Sequence, residues 1–236
     1  MKTVIIHGQS HKGSTYHIAH ELAEKIGGEM TEFFLPRDFG EFCTGCAKCF
    51  NEGESACPHY DKLSRITDAM DSADVIILAS PVYVYHASGS MKAFLDHFGY
   101  RWMVHRPNES MFAKQGVCIS TAAGAGMKSA NKDMADSLFF WGVPKIYKYG
   151  VRTLASCWDH VSKRKKNAID KETTKLSEII TERYGKVKPG LKTRSWFRIV
   201  RSLRKKGSDE LDSVYWKEKG WIGRKRPWKK AGEKGQ

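Results

Sequence analysis

Four of the chain's six cysteines fall within fifteen residues, CTGCAKCFNEGESAC, in the pattern C-x2-C-x2-C-x7-C. They are Cys43, Cys46, Cys49 and Cys57. A cuboidal [4Fe–4S] cluster needs four thiolates arriving from several directions, and two x2 gaps let one tight loop supply three of them. The x7 gap gives the chain room to return with Cys57, and Pro58 follows it. Zinc with four thiolates is a rival, although structural zinc sites more often draw on two separated C-x2-C pairs. A disulfide formed on aerobic handling and an empty thiol loop are the other two readings. Cys118 lies in an apolar run and reads as a small buried residue, and Cys157, before Trp158, has no evident partner.

Three further stretches carry groups that could hold a ligand. The first is GQSHKGST, Gly8 to Thr15. Free backbone N–H groups where such a loop enters a helix, together with the helix dipole, suit a phosphate. Ser10, Ser14 and Thr15 offer hydroxyls, Gly13 permits close approach, and His11 and Lys12 add charge. The stretch is neither a nucleoside-triphosphate loop nor a G-x-G-x-x-G fingerprint. Its plainer reading is a polar turn with Ser14 as an ordinary cap. The second stretch is SPVYVYHASGSMKAFLDHF, Ser80 to Phe98, in which Pro81 is expected to turn the chain out of a strand. Val82, Tyr83, Val84 and Tyr85 then present a surface for a planar ligand. The third is TAAGAG, where Thr121, Ala122, Ala123, Gly124 and Gly126 are small enough to let backbone amides reach the edge of a flat ring. No histidine is well placed for acid–base catalysis. His86 lies in the second stretch, and His7, His17, His20, His97, His105 and His160 are scattered with no Ser-His-Asp order, so no catalytic residue is assigned.

The elements that position these stretches can be read from periodicity. Strands are expected at Thr3–His7, Thr31–Leu35, Asp74–Ser80, Gly116–Thr121 and Lys145–Val151. Helices are expected at Ser14–Gly27, Asp61–Ser72, Ser88–Gly99, Lys128–Trp141 and over most of Asp159–Tyr184. Alternating strands and helices imply an α/β fold with a doubly wound parallel sheet. Five strands fit the flavodoxin-like order 2-1-3-4-5, whose ligand sits at the carboxyl ends of the strands near the switch between strands one and three. The loops after strands one, three and four then meet at one edge. A phosphate cradle, an aromatic loop and a small-residue loop together match FMN.

The loops GQSHKGST, SPVYVYHASGSMKAFLDHF and TAAGAG resemble those of the flavodoxin-like, NADPH-dependent FMN reductase superfamily, most specifically in Pro-Val-Tyr followed by Met-Lys-Ala-Phe-Leu-Asp. The cysteine stretch is similar to the compact motif of the iron–sulfur flavoproteins in that superfamily. The resemblance covers roughly residues 1 to 180. It implies FMN held by the three loops, NAD(P)H as co-substrate, a [4Fe–4S] cluster on Cys43, Cys46, Cys49 and Cys57, and a homodimer or tetramer. Two departures stand out. Gly8-Gln9-Ser10-His11 replaces the common Gly-Ser-Pro-Arg, exchanging a fixed cation for a titratable one, and Tyr60-Asp61-Lys62 carries one aspartate where the family often has two.

At 236 residues and 41% hydrophobic, the chain has enough apolar material for one α/β domain with an appendage. No apolar run is of signal-peptide or membrane-spanning length, so the cytoplasm is the expected compartment. There thiols stay reduced, which favours metal-binding or catalytic cysteines over structural disulfides. The net charge of +14 is uneven: residues 1–184 carry +2 and residues 185–236 carry +12. The expected division is a flavodoxin-like FMN-binding domain, 1–184, and a basic, helical, Trp-rich extension, 185–236. In the extension, Trp196, Phe197, Val200 and Leu203 form one helical stripe, with Arg194, Arg198, Arg201 and Lys205 largely elsewhere. Its aromatics should pack on the body or on a second subunit. A membrane surface comes next, then nucleic acid.

The function read from the sequence is FMN-dependent electron transfer from NAD(P)H to a flavin, quinone or other small acceptor, with a cluster carrying single electrons. The alternative is an electron carrier reduced by a ferredoxin-like protein, with no small-molecule substrate.

Overall fold

In the computed structural model, which describes residues 1–155, 157–207 and 211–229, the described residues form six strands and eight α-helices. Strands are β1 (Lys2–His7), β2 (Glu29–Phe34), β3 (Val75–Tyr83), β4 (His86–Ala87), β5 (Gln115–Ala122) and β6 (Lys145–Arg152). Helices are α1 (Ser14–Ile26), α2 (Lys48–Asn51), α3 (Tyr60–Ser72), α4 (Gly89–Asp96), α5 (Met127–Trp141), α6 (Lys163–Glu182), α7 (Leu191–Lys206) and α8 (Leu211–Glu218). The sheet runs β2-β1-β3-β5-β6, all parallel, with β4 antiparallel to the end of β3. With two-residue β4 set aside, this is the expected 2-1-3-4-5 order of a flavodoxin-like fold.

Alternation along the strands divides the core between two faces. Ile5, Val75, Ile77, Val117 and Ile119 face α1 and α6 through Ile18, Leu22, Ile169 and Ile180. Val4, Ile6, Ile76, Leu78 and Cys118 face the other side, with Leu63, Met91, Phe94, Met134 and Leu138. Cys118 is fully buried, as its apolar surroundings imply.

Some expected boundaries move. β3 continues three residues beyond Ser80, and Pro81 lies inside it, paired with Thr121. Pro81 therefore does not turn the chain out; the turn comes at Val84-Tyr85. Helix α1 starts at Ser14, but its N-cap is Gly13 and no side chain caps it, so Ser14 is not the cap. Helix α4 stops at Asp96, and Ser88 serves as its cap.

The extension builds a third core. Phe197, Val200, Trp216 and Trp221 are buried with Met103 and Phe112 of the body, and Trp196 and Trp228 pack at its margin. The tail's aromatics thus cover the body. Leu203, read as part of the same stripe, is instead exposed, and Phe197 and Val200 alone of that stripe are fully buried.

Candidate functional site

The loops after β1, β3 and β5 are tied together by buried hydroxyls. Ser88 Oγ donates to the Gly8 carbonyl at 2.6 Å, and its backbone N–H donates to Ser80 Oγ at 2.9 Å. Gly8 sits so close that a Cβ there would lie 2.7 Å from Ser88 Oγ and 3.1 Å from Met91 Cβ. The first loop is joined to the third by a buried 2.6 Å hydrogen bond between the Thr15 and Thr121 hydroxyls. The third is pressed on the second at Gly126, where φ is +98° and a Cβ would lie 2.7 Å from Val82 and 2.9 Å from the Tyr85 Cα. Only glycine accepts both that φ and that approach.

At the first loop, Ser10, His11 and Lys12 are exposed, while Gly13 and Ser14 are half-buried. Ser10 Oγ donates to the Leu35 carbonyl at 3.2 Å, which ties the loop to the end of β2. With no capping side chain, the first-turn N–H groups of α1 keep their hydrogen-bonding capacity. The second loop is a two-residue hairpin between β3 and β4, with Val84 at φ +48° and Tyr85 at φ +67°. Asn and Gly usually fill such turns, and a β-branched residue there is strained. Val84 is 94% exposed, and Tyr83 and Tyr85 are also exposed. The hairpin is held from below by Asp133 of α5, which accepts from the Ala87 N–H at 3.3 Å and pairs with His86 Nδ1 at 2.9 Å. A strained turn that displays an apolar face at a sheet's carboxyl edge is the kind of feature a ligand explains. In the third loop Thr121 is buried, Ala122 half-buried, and Ala123 and Gly124 exposed. Pro81 and Val82 lie below the hairpin in β3. The structure thus brings Thr15 to Thr121, and Gly126 to Val82 and Tyr85, at one edge of the sheet. Ser10 turns to Leu35 instead, and His11, Ala123 and Gly124 are exposed.

The four clustered cysteines line one cavity of about 100 Å³, with Phe50, Pro58, His59, His97 and Gly99 among its other walls. Cys43 and Cys46 are exposed, Cys49 and Cys57 partly buried, and all are free thiols. A hydrogen bond from the Lys48 N–H lowers the Cys46 thiol below its usual range. Burial raises that of Cys49, helped by the other three thiols. Donor type, number and shared cavity fit a thiolate-bound metal group. Among the described residues, however, no three His, Cys, Asp or Glu side chains are gathered closely enough to hold a metal ion. The thiols would have to draw together to bind one.

Sequence reasoning passed over Ser80, Ser88 and Asp133. Ser88 had a signal, as a serine just before an apolar helical run. Ser80 and Asp133 had none, because their partners lie 8 and 46 residues away.

The chain is similar to known proteins in sequence and in fold. The NADPH-dependent FMN reductase family profile matches residues 1–151. An iron–sulfur flavoprotein of Archaeoglobus fulgidus is 27% identical over 206 residues, which covers 84% of this chain and 88% of that protein. One from Methanosarcina thermophila is 26% identical over 145 residues, 60% of this chain and 72% of that protein. Among solved structures, a flavone reductase superposes with a TM-score of 0.57 at 18% identity, and this chain spans 62% of its length. An FMN-dependent NADH-azoreductase of Bacillus anthracis, solved with FMN, superposes with a TM-score of 0.56 at 12% identity, covering 77% of this chain and all of that one. At these identities the structural likeness speaks for the fold.

Proposed function

The chain belongs to the NADPH-dependent FMN reductase family, in its iron–sulfur flavoprotein branch, and from that premise we propose that it is an FMN-dependent oxidoreductase passing electrons from NAD(P)H to a flavin, quinone or other small acceptor. The observation that carries this reading is the hydrogen-bonded union of three loops at one sheet edge, beneath an exposed apolar hairpin. FMN supplies hydride acceptance and electron release when bound. The chain supplies position. Ser10, Ser14, Thr15 and the first-turn N–H groups of α1 bind the phosphate, Gly13 lets it approach closely, and His11 stands beside them. Thr121, Ala122, Ala123, Gly124 and Gly126 line the ring's edge. Pro81, Val82, Tyr83, Val84 and Tyr85 cover its face and exclude water. No side chain is assigned a proton-transfer role.

Cys43, Cys46, Cys49 and Cys57 would hold a [4Fe–4S] cluster, and a reducing compartment, the cytoplasm, suits such a loop. Among the described residues no helix is long and apolar enough to cross a membrane. Residues 1–184 carry the cofactors in this reading, residues 185–236 form the extension, and the protein works as a homodimer or tetramer.

The test is a visible spectrum of protein purified without oxygen, before and after NADPH. Flavin bands over a broad iron–sulfur shoulder, bleached by NADPH, are expected. Protein that binds no FMN even after reconstitution overturns the proposal. The cysteine loop favours one second reading, an electron carrier served by a ferredoxin-like partner. In that case the flavin is present but NADPH alone leaves it oxidised.

A further inference from the structure

The cysteine loop has little holding it from within. Helix α2, which carries Cys49, is four residues long, has no buried residue and no capping side chain, and starts from Ala47 at φ +57°. What holds it comes from elsewhere in the chain. The Arg106 guanidinium, almost fully buried, donates through Nη2 to the Cys49 carbonyl and through Nη1 to the Asp212 carboxylate. Asp212 lies in α8 of the extension and is itself buried. Its other oxygen accepts from His105 Nδ1 at 2.7 Å and pairs with Arg204 Nη2 of α7 at 3.0 Å. The His105 ring in turn packs edge-on against Phe50, the neighbour of Cys49, with centroids 4.8 Å apart.

The extension also grips the backbone of this segment. Trp216 Nε1 donates to the His105 carbonyl at 2.6 Å, Tyr215 Oη to Pro107 at 2.7 Å, and Arg204 Nε to Val104 at 3.0 Å. Residues 104–107 are therefore a clamp with two jaws. One closes on α7 and α8, and the other on the cysteine loop.

We infer that the C-terminal extension positions the cysteine loop, through a relay in which Asp212 fixes Arg106 and Arg106 fixes Cys49. Asp212 and Arg106 are positioning residues, and neither touches the reacting atoms. The family profile ends at residue 151 and assigns the extension nothing. The role in cluster binding rests on the function proposed above, but the relay itself does not.

The planar fork of Arg106 is what reaches two acceptors at once, and a lysine point charge cannot reproduce it. The test uses full-length, chelator-treated protein of the wild type, Arg106→Lys, Asp212→Asn and the double variant. The alkylation rate of Cys49 is read against that of exposed Cys43 in the same molecule. Hydrogen bonds to charged groups are worth enough that the Cys49:Cys43 ratio should rise roughly ten- to hundredfold in each single variant. The double variant should rise no further than the larger single, because both break one relay. Unchanged tryptophan fluorescence in Arg106→Lys would show the extension still docked, which separates positioning from unfolding. A wild-type ratio in Arg106→Lys, or additive effects in the double variant, overturns the relay. In the same proteins purified without oxygen and without chelator, iron retained per chain, at unchanged FMN content, should fall in step with the ratio. A chain that never binds iron sinks the cluster reading and leaves the alkylation result standing.

Discussion

Thr15 and Thr121 lie 106 residues apart in sequence and meet through one buried hydrogen bond. The Thr15 hydroxyl was legible as a possible ligand group, and Thr121 as a small residue of its loop. Their use on one another was not, because no local pattern links them. Replacing one strands the other in a buried site, which costs about 1–3 kcal/mol, while replacing both with apolar groups of similar shape costs less than the sum. Thr15→Val should therefore lower the urea midpoint and weaken FMN binding, and Thr15→Val/Thr121→Val should recover part of the stability. A single variant as stable as the wild type would show that the pair contributes nothing. Pro81 teaches the opposite lesson. Proline usually breaks strands, but in parallel β3 its missing N–H does not end the pairing, and Thr121 remains its neighbour. Arg106 and Asp212 were invisible to the sequence as a pair, since neither sits in a motif and 106 residues separate them.

At the scale of elements, the strands and major helices were readable because buried parallel strands are apolar throughout and the helices repeat every three to four residues. The ends were less so, because strand length is set by the neighbour: β3 extends to Tyr83 because β5 and β4 pair with it there. One junction between elements has a measurable charge. Lys114, just before β5, is buried and donates to the carbonyls of Asp71 and Ala73 where α3 ends. Burial lowers its amine from 10.5 to about 8, partly opposed by the Asp71 carboxylate. The unfolded chain therefore binds more protons than the folded one between pH 8 and 10.5. Stability contributed by this group rises with pH across that window, by up to about 1.4 kcal/mol per pH unit, and is flat below it. Lys114→Met should abolish that rise in a pH series of denaturant midpoints. Parallel pH profiles for the two proteins would remove Lys114 as its source.

At the scale of the molecule, the described residues form three cores where two faces of a sheet account for two. The third depends on Trp216 and Trp221, both fully buried, against Phe112 and Phe197. Composition announced that four of seven tryptophans fall in the basic tail. It did not announce their destination, because the surface they cover, around Met103 and Phe112, has no periodicity of its own. Trp221→Ala should destabilise the protein by about 3–5 kcal/mol, as expected for a truncated core aromatic. A loss below about 1 kcal/mol, read by urea titration, would mean that the tail is bound only at its margins. The basic side chains that remain outside this core leave a strongly positive surface beside a nearly neutral body.

The clamp at residues 104–107 also sets an order of events during synthesis. Cys49 leaves the ribosome about 160 residues ahead of Asp212. At translation rates of about 5–20 residues per second, that interval lasts roughly ten to thirty seconds. For that time the thiol loop exists without the carboxylate that fixes its holder. A thiol reagent or oxidant that arrives early meets a pliant loop, and one that arrives late meets a braced one, so the nascent chain passes through a period in which its thiols are most open.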